Sequence, residues 1–329
     1  RGDGRFGFDE KKFEALARYY QPLEDGSYAA WKALSSAGKD GVHAELLSPS
    51  ADAAGITFQA NGRTVTPASR DGNKIVLDLR GIAGGLEEEL LALFAVSDTV
   101  PPKVLGKLNL ATYNPVRYRL EIVRVNDAAT PGGIDVTEIS RRINEIYNAA
   151  VVEWDVTMRA TPLKVNLNET FDDGEAGLLS NYTDDMKKVL NAFGRLQTNT
   201  YYIFLVETPK NEATVGYMPR NRQAGFVFTG PHRGNAEDFI KTIAHELGHG
   251  AFNLKHTFSE YNLPAGITDN VMDYSDATAL YKYQWDYIHD PQAVMGLFEP
   301  EEEGESVIVT DLKQLAPFAN KDGSYTFMA

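Results

Sequence analysis

The chain has 329 residues, enough for about two domains. Hydrophobic residues make up 43 % and charged residues 24 %, a globular composition. Cysteine is absent and the net charge is −14, which excludes disulfides, thiolate metal sites and cysteine nucleophiles and argues against a nucleic-acid partner. No apolar run approaches the roughly 20 residues that span a bilayer. Any transition metal must be held by nitrogen and oxygen. Only six histidines exist, and His245, His249 and His256 fall within twelve residues.

In chain order, Arg1-Gly2-Asp3 spells an integrin-binding tripeptide and reads as a chance match. An opening on Arg1 suits a processed protein or an excised segment. Residues 9–36 read as helical, with Phe13, Leu16 and Tyr20 on one face and Tyr28, Trp31 and Leu34 in a second stripe. Ile56 to Phe58, Asn61-Gly62 and Thr64 to Thr66 read as a hairpin, followed by a strand over 74–78. Residues 87–96 fit either a helix or a buried strand. Together, residues 1–104 read as a small β-rich accessory domain, with Pro101-Pro102 and Gly106 as the linker that follows it.

A second pattern occupies residues 105–298. Strands are expected at 118–125, 151–158 and 163–165, and helices at 134–150 and 183–196. Tyr201 to Val206 is a continuous apolar run, suited to a strand buried on both faces. Ala213 to Met218 is more polar and reads as an edge strand, and Ala224 to Thr229 as one more strand. This alternation predicts an α/β (α+β) domain with a mixed, mostly parallel sheet. Residues 299–329 begin with five glutamates among residues 299–305 and read as an acidic linker and tail. Asn168 and Asn181 match the glycosylation acceptor pattern only. Asp172-Asp173-Gly174-Glu175 fits no calcium loop and reads as an acidic turn.

The chemistry concentrates on a helix expected to begin at the cap Asn235. Phe239, Ile240, Ile243, Ala244, Leu247 and Ala251 fall on one arc of about 140°. His245 and His249 lie opposite, about 40° apart and about 6 Å along the axis, so both imidazoles can meet one tetrahedral ion. Glu246 can then reach a water on that ion rather than the ion itself, the logic of H-E-x-x-H. Zinc needs a third protein ligand and an open position. His256 is the nearest candidate. Asn253 tolerates a left-handed backbone and could end the helix so that the chain swings back. His289, near the end of a helix expected over 277–290, is a fallback. A later glutamate is disfavoured, since none stands between Glu260 and Glu299.

His245-Glu-Leu-Gly-His249 with His256, followed by Asn270-Val-Met272-Asp-Tyr274, resembles the metzincin clan of zinc endopeptidases. The resemblance covers roughly residues 105–298. The chain is also similar to peptidase modules of large multidomain proteins from Bacteroidetes-type bacteria. The clan places its third histidine ten residues after the first, whereas here the interval is eleven, and Asn253 stands in the clan's glycine slot. The resemblance implies a Zn²⁺ cofactor on His245, His249 and His256, with Glu246 as general base. It makes Met272 an apolar floor beneath the metal, and makes Tyr274 a group that ligates zinc at rest or bonds the oxyanion. Without it, Met272 is a core residue and Tyr274 a packed tyrosine.

The implied function is endopeptidase action on a protein or peptide substrate, secreted or on a bacterial cell surface, within a larger polypeptide. The substrate would lie extended along 213–218. Arg220, Arg222 and Arg233 would favour acidic substrates. A binding or adhesion module with a structural or vestigial zinc site is the alternative from another class.

Overall fold

The computed structural model describes residues 4–46, 55–97, 99–174, 182–232 and 234–290, with short strand segments at Glu305–Ser306, Phe318–Ala319 and Tyr325–Thr326. Arg1 to Asp3, Glu175, Asn181, Arg233 and most of the acidic tail lie outside the described residues.

The first half is built from strands β1 (Phe8–Asp9), β2 (Ala30–Ser35), β3 (Lys39–Glu45), β4 (Ile56–Ala60), β5 (Arg63–Val65), β6 (Pro67–Asp71), β7 (Lys74–Arg80), β8 (Leu86–Phe94) and β9 (Lys103–Tyr113). One sheet has the order β1-β2-β9-β8-β4-β5 and the other β3-β7-β6. Leu34, Phe58, Leu90 and Leu110 of the first meet Val42, Ile75, Leu77 and Leu79 of the second in one apolar cluster. The alternation of Ile75, Leu77 and Leu79 with outward residues gives the sandwich its core. The Asn61-Gly62 hairpin forms as expected, with both residues at positive φ. Residues 86–94 resolve as strand.

Two expectations are corrected. Residues 9–36 are not helical throughout: a 3-10 turn at Glu14–Tyr19 is followed by strand β2. The spacing of Tyr28, Trp31 and Leu34 mimics a helical stripe, but β2 pairs with β9 along its whole length and with β1, and that pairing overrides local preference. Pro101-Pro102 is not a linker between domains. It sits in the loop between β8 and β9, and β9 runs through residue 104 as part of the first sheet.

The second half has strands β10 (Val116–Arg124), β11 (Val152–Met158), β12 (Thr200–Val206), β13 (Thr214–Tyr217) and β14 (Ala224–Phe228). Its helices are α1 (Val136–Tyr147), α2 (Asp184–Phe193), α3 (Thr229–His232), α4 (Ala236–Phe252), α5 (Thr257–Tyr261) and α6 (Lys282–His289). The sheet order is β11-β10-β12-β14-β13, with β15 (Glu305–Ser306) beyond β13. The first four strands are parallel, and β13 runs antiparallel to β14. Strand β12 is buried on both faces, as its composition predicts. Ile203 and Leu205 join the core under α1 and α4, while Tyr202, Phe204 and Val206 join the core under α2. Leu163 contributes only an isolated bridge to Val125.

The two halves share a core. Ala33, Ala111 and Tyr113 of β2 and β9 belong to the same cluster as α1, α4 and Trp285 of α6. Gly7 is wedged here: its N–H donates to the Ala149 carbonyl at 3.1 Å, and a Cβ would stand 2.3 Å from the Trp285 ring. The architecture is thus mixed α/β, rich in strands. No helix among the described residues is long and apolar enough to cross a membrane.

Candidate metal centre

Helix α4 starts where the capping pattern places it. Asn235 Oδ1 accepts from the Asp238 N–H at 3.1 Å. The Asp238 carboxylate does not fold back to close a capping box. It accepts from His232 Nδ1 at 2.6 Å, and this bond holds Asp238 below the usual carboxylate range. The expected contrast between a buried stripe and an open histidine face is absent, because Phe239 to Gly250 are buried on every side. The histidine face is covered by the chain that returns after the helix.

That return depends on Asn253, which adopts φ 54° and ψ 25°. The N–H groups of Asn253 and Leu254 bond the carbonyls of His249 and Gly248, each at 3.0 Å, and turn the chain back. His256 is thereby brought under the helix. The Nε2 atoms of His245, His249 and His256 form a nearly equilateral triangle with sides of 3.0, 3.1 and 3.1 Å. All three rings are at most 5 % exposed.

The far nitrogens explain the orientation. His245 Nδ1 lies 2.8 Å from the Val271 carbonyl, and His249 Nδ1 lies 2.7 Å from the Leu254 carbonyl. A carbonyl can only accept, so each Nδ1 carries the proton and each Nε2 presents a lone pair. Burial, with help from the nearby Lys241 charge, pushes His245 down to about 3. Burial pushes His256 well down too, reinforced by His249, His245 and Arg220. The His245 and His256 imidazoles are therefore neutral. Lone pairs crowded at this distance repel unless a cation sits among them. A tetrahedral ion bound at about 2.0–2.1 Å requires its ligand atoms to stand about 3.3–3.4 Å apart, close to the triangle observed. Nitrogen-only donors and tetrahedral spacing fit zinc.

The floor is built by close approach. A Cβ on Gly248 would stand 2.4 Å from Met272 Sδ, so the bare glycine lets the methionine pack directly beneath the helix. The loop that carries Met272 is fastened at both ends. Asp273 is fully buried and accepts from Gly266 N–H (2.6 Å), Thr268 N–H and Oγ1 (2.7 Å each) and Tyr274 N–H (2.7 Å). Lys241 Nζ donates to the Asp273 carbonyl at 2.9 Å. Asn270 and Gln284 exchange side-chain bonds of 2.6 and 3.0 Å, and Asn270 Oδ1 also takes the Met272 N–H.

Glu246 is 1 % exposed and faces strand β13. A Cβ on Gly216 would meet Glu246 Oε1 at 2.6 Å, so β13 is shaped around this carboxylate. Tyr274 is partly exposed, its ring centred 5.1 Å from that of His256.

His289 is not a ligand: its Nε2 bonds the Ala150 carbonyl at 2.6 Å and its ring stacks on Tyr113. Its helix begins at Lys282, capped by Tyr281, rather than at 277, because Ala279 is held by Asp269 and Val271 in a bridge. Among the described residues, His245, His249 and His256 form the one cluster of convergent metal-ligating groups. The carboxylates of Asp172 and Asp173 accept from the backbone N–H groups of Gly174 and Asn211, as an acidic turn does.

Sequence reasoning assigned no role to Asp273, Gly216 or Lys241. Met-Asp-Tyr with a glycine some residues upstream is the signal that could have pointed to Asp273. Nothing local marks the other two.

No protein-family model and no curated protein matches the chain. Among solved structures, 53 % of the chain is similar to 35 % of a sialyltransferase from Photobacterium damsela, at 11 % identity and a TM-score of 0.22. A further 2,6-sialyltransferase, from a Vibrionaceae Photobacterium, matches 55 % of the chain over 35 % of its own, at 12 % identity and a TM-score of 0.21. Dex49A from Penicillium minioluteum is similar over 54 % of this chain and 30 % of its own, at 13 % identity and a TM-score of 0.19. The chain thus spans about a third of the length of the structures it matches, and likeness this slight assigns neither fold nor activity.

Proposed function

We propose that this chain is a zinc-dependent endopeptidase of metzincin type. The observation that carries the reading is the triangle of His245, His249 and His256 Nε2 atoms, the first two on the helix that also carries the buried Glu246. The three histidines would hold Zn²⁺. When bound, zinc supplies Lewis acidity, lowering the pKa of a water molecule toward about 7 and polarising a carbonyl.

Glu246 takes the proton of the attacking water on its carboxylate and passes it to the nitrogen of the departing amine. Strand β13 offers backbone N–H and C=O groups to an extended peptide, and Gly216 keeps the space above Glu246 clear of a side chain. The Tyr274 hydroxyl is a donor suited to the developing oxyanion. Met272 and the Asp273-bonded loop hold the His245 ring at its angle through the Val271 carbonyl. A structural zinc site is usually closed by four protein ligands, whereas three converge here among the described residues, which favours hydrolysis over a binding module.

The test is hydrolysis of an unfolded protein such as reduced casein. Cleavage should stop with a chelator and return with zinc. Cleavage that persists in the zinc-free chain overturns the reading.

A further inference from the structure

The outer edge of β13 is not open. Glu305–Ser306 pairs with it antiparallel, with Ser306 opposite Thr214 and Glu305 opposite Gly216. All four residues of β13 are buried, although a strand at a sheet's edge ordinarily leaves one row of backbone groups to solvent. Gly216 is also the residue that packs against the Glu246 carboxylate. The segment from the chain's own C-terminal region therefore lies along the edge nearest the general base.

We infer that this edge is a docking site for extended backbone, held in cis by Glu305–Ser306, which excludes any other extended peptide from it. The inference that this blocks catalysis rests on the proposed peptidase reading; the docking itself does not. Three further observations support it. Helix α6 ends at His289, and the fifteen steps from Asp290 to Glu305 can span up to about 50 Å when extended. No proline stands between Glu301 and Ala316, so every residue there keeps its N–H for pairing. Ser306 is followed by Val307-Ile-Val-Thr310, four β-branched residues that favour an extended chain. A tethered strand of this kind acts at millimolar effective concentration, above that of most free peptides.

Proline at both paired positions breaks the contact in the full chain. The probe is a fluorescein-labelled peptide of sequence 301–310, read by anisotropy on zinc-loaded chains carrying Glu246→Gln. Glu305→Pro/Ser306→Pro should bind it at least ten-fold more tightly than the parent, and amides of Thr214–Tyr217 should exchange at least ten-fold faster without probe. Glu305→Ala/Ser306→Ala keeps its N–H groups and should match the parent in both measurements. Equal probe binding in parent and proline chain, or unchanged exchange of β13, overturns the docking. With Glu246 intact, the proline chain should show a KM for peptide lowered at least five-fold with kcat unchanged. An unchanged KM overturns the block of catalysis. Released docking without hydrolysis by any chain supports the docking and overturns the peptidase reading instead.

Discussion

Two buried polar clusters, one in each half of the molecule, are arranged in opposite ways. In the strand-rich half, Lys32 of β2 and Asp40 of β3 are buried against each other and bonded to backbone. Lys32 Nζ bonds Asp40 and the Phe6 carbonyl at 2.6 Å each, and Asp40 also accepts from the N–H groups of Arg5 and Phe6 at 2.8 Å. Burial opposes the Asp40 charge, but Lys32 and those amides outweigh it and hold the carboxyl below its usual range. In the second half, three imidazoles are buried with their Nε2 atoms turned on one another. His289 makes the contrast within one residue type, since its Nε2 finds a backbone carbonyl. A buried histidine whose polar atoms the protein satisfies is architecture. Three whose Nε2 atoms converge within 3.1 Å of one another are a donor set that could hold a metal ion.

The comparison can be broken first at the chemistry. Glu246→Gln should lower kcat for peptide hydrolysis by about 10²–10⁴-fold while zinc content stays at the parent level. Loss of zinc from that variant would make Glu246 a structural group and blur the division. Next, Asp40→Asn leaves the Lys32 charge buried without its counter-ion. It should cost about 3–5 kcal/mol of stability in denaturant unfolding and leave zinc stoichiometry intact. A stability loss below about 1 kcal/mol would show that the pair is not sealed.

A smaller effect tests the seam between the halves. Asp9 is buried and accepts from the Tyr20 hydroxyl at 2.5 Å and the Lys282 N–H at 2.7 Å. Burial pushes its pKa up to about 6 against those bonds. The folded-state value lies above the unfolded value of 3.8, so the contribution to stability is complete below that pH and disappears as pH rises through about 6. The stability of the parent relative to Asp9→Asn should therefore fall by about 2–3 kcal/mol between pH 3.5 and 7.5. A difference independent of pH would mean that Asp9 titrates normally.

Local signals were legible. The cap at Asn235, the left-handed turn at Asn253 and the four-residue spacing of His245 and His249 depend on neighbours in the chain, and all three stand where the sequence placed them. The doubly buried strand was readable from its apolar run alone, whereas residues 214–217, expected at an open edge, are paired with Glu305–Ser306 and buried. Long-range pairing was not. Residues 30–35 looked helical until β9 claimed them, and residue 104 looked like a boundary although β9 runs through it. The supports of the site were hidden for the same reason. Gly216 matters only because β13 approaches Glu246, and Asp273 only because a loop folds around its carboxylate. Neither approach leaves a periodic trace.

Zinc content of dialysed protein bears most directly on the claim that the imidazole triangle is the metal centre. Parent and His289→Ala should each carry about one zinc per chain, and His256→Ala should carry none. Zinc retained by His256→Ala, or lost from His289→Ala, would contradict it.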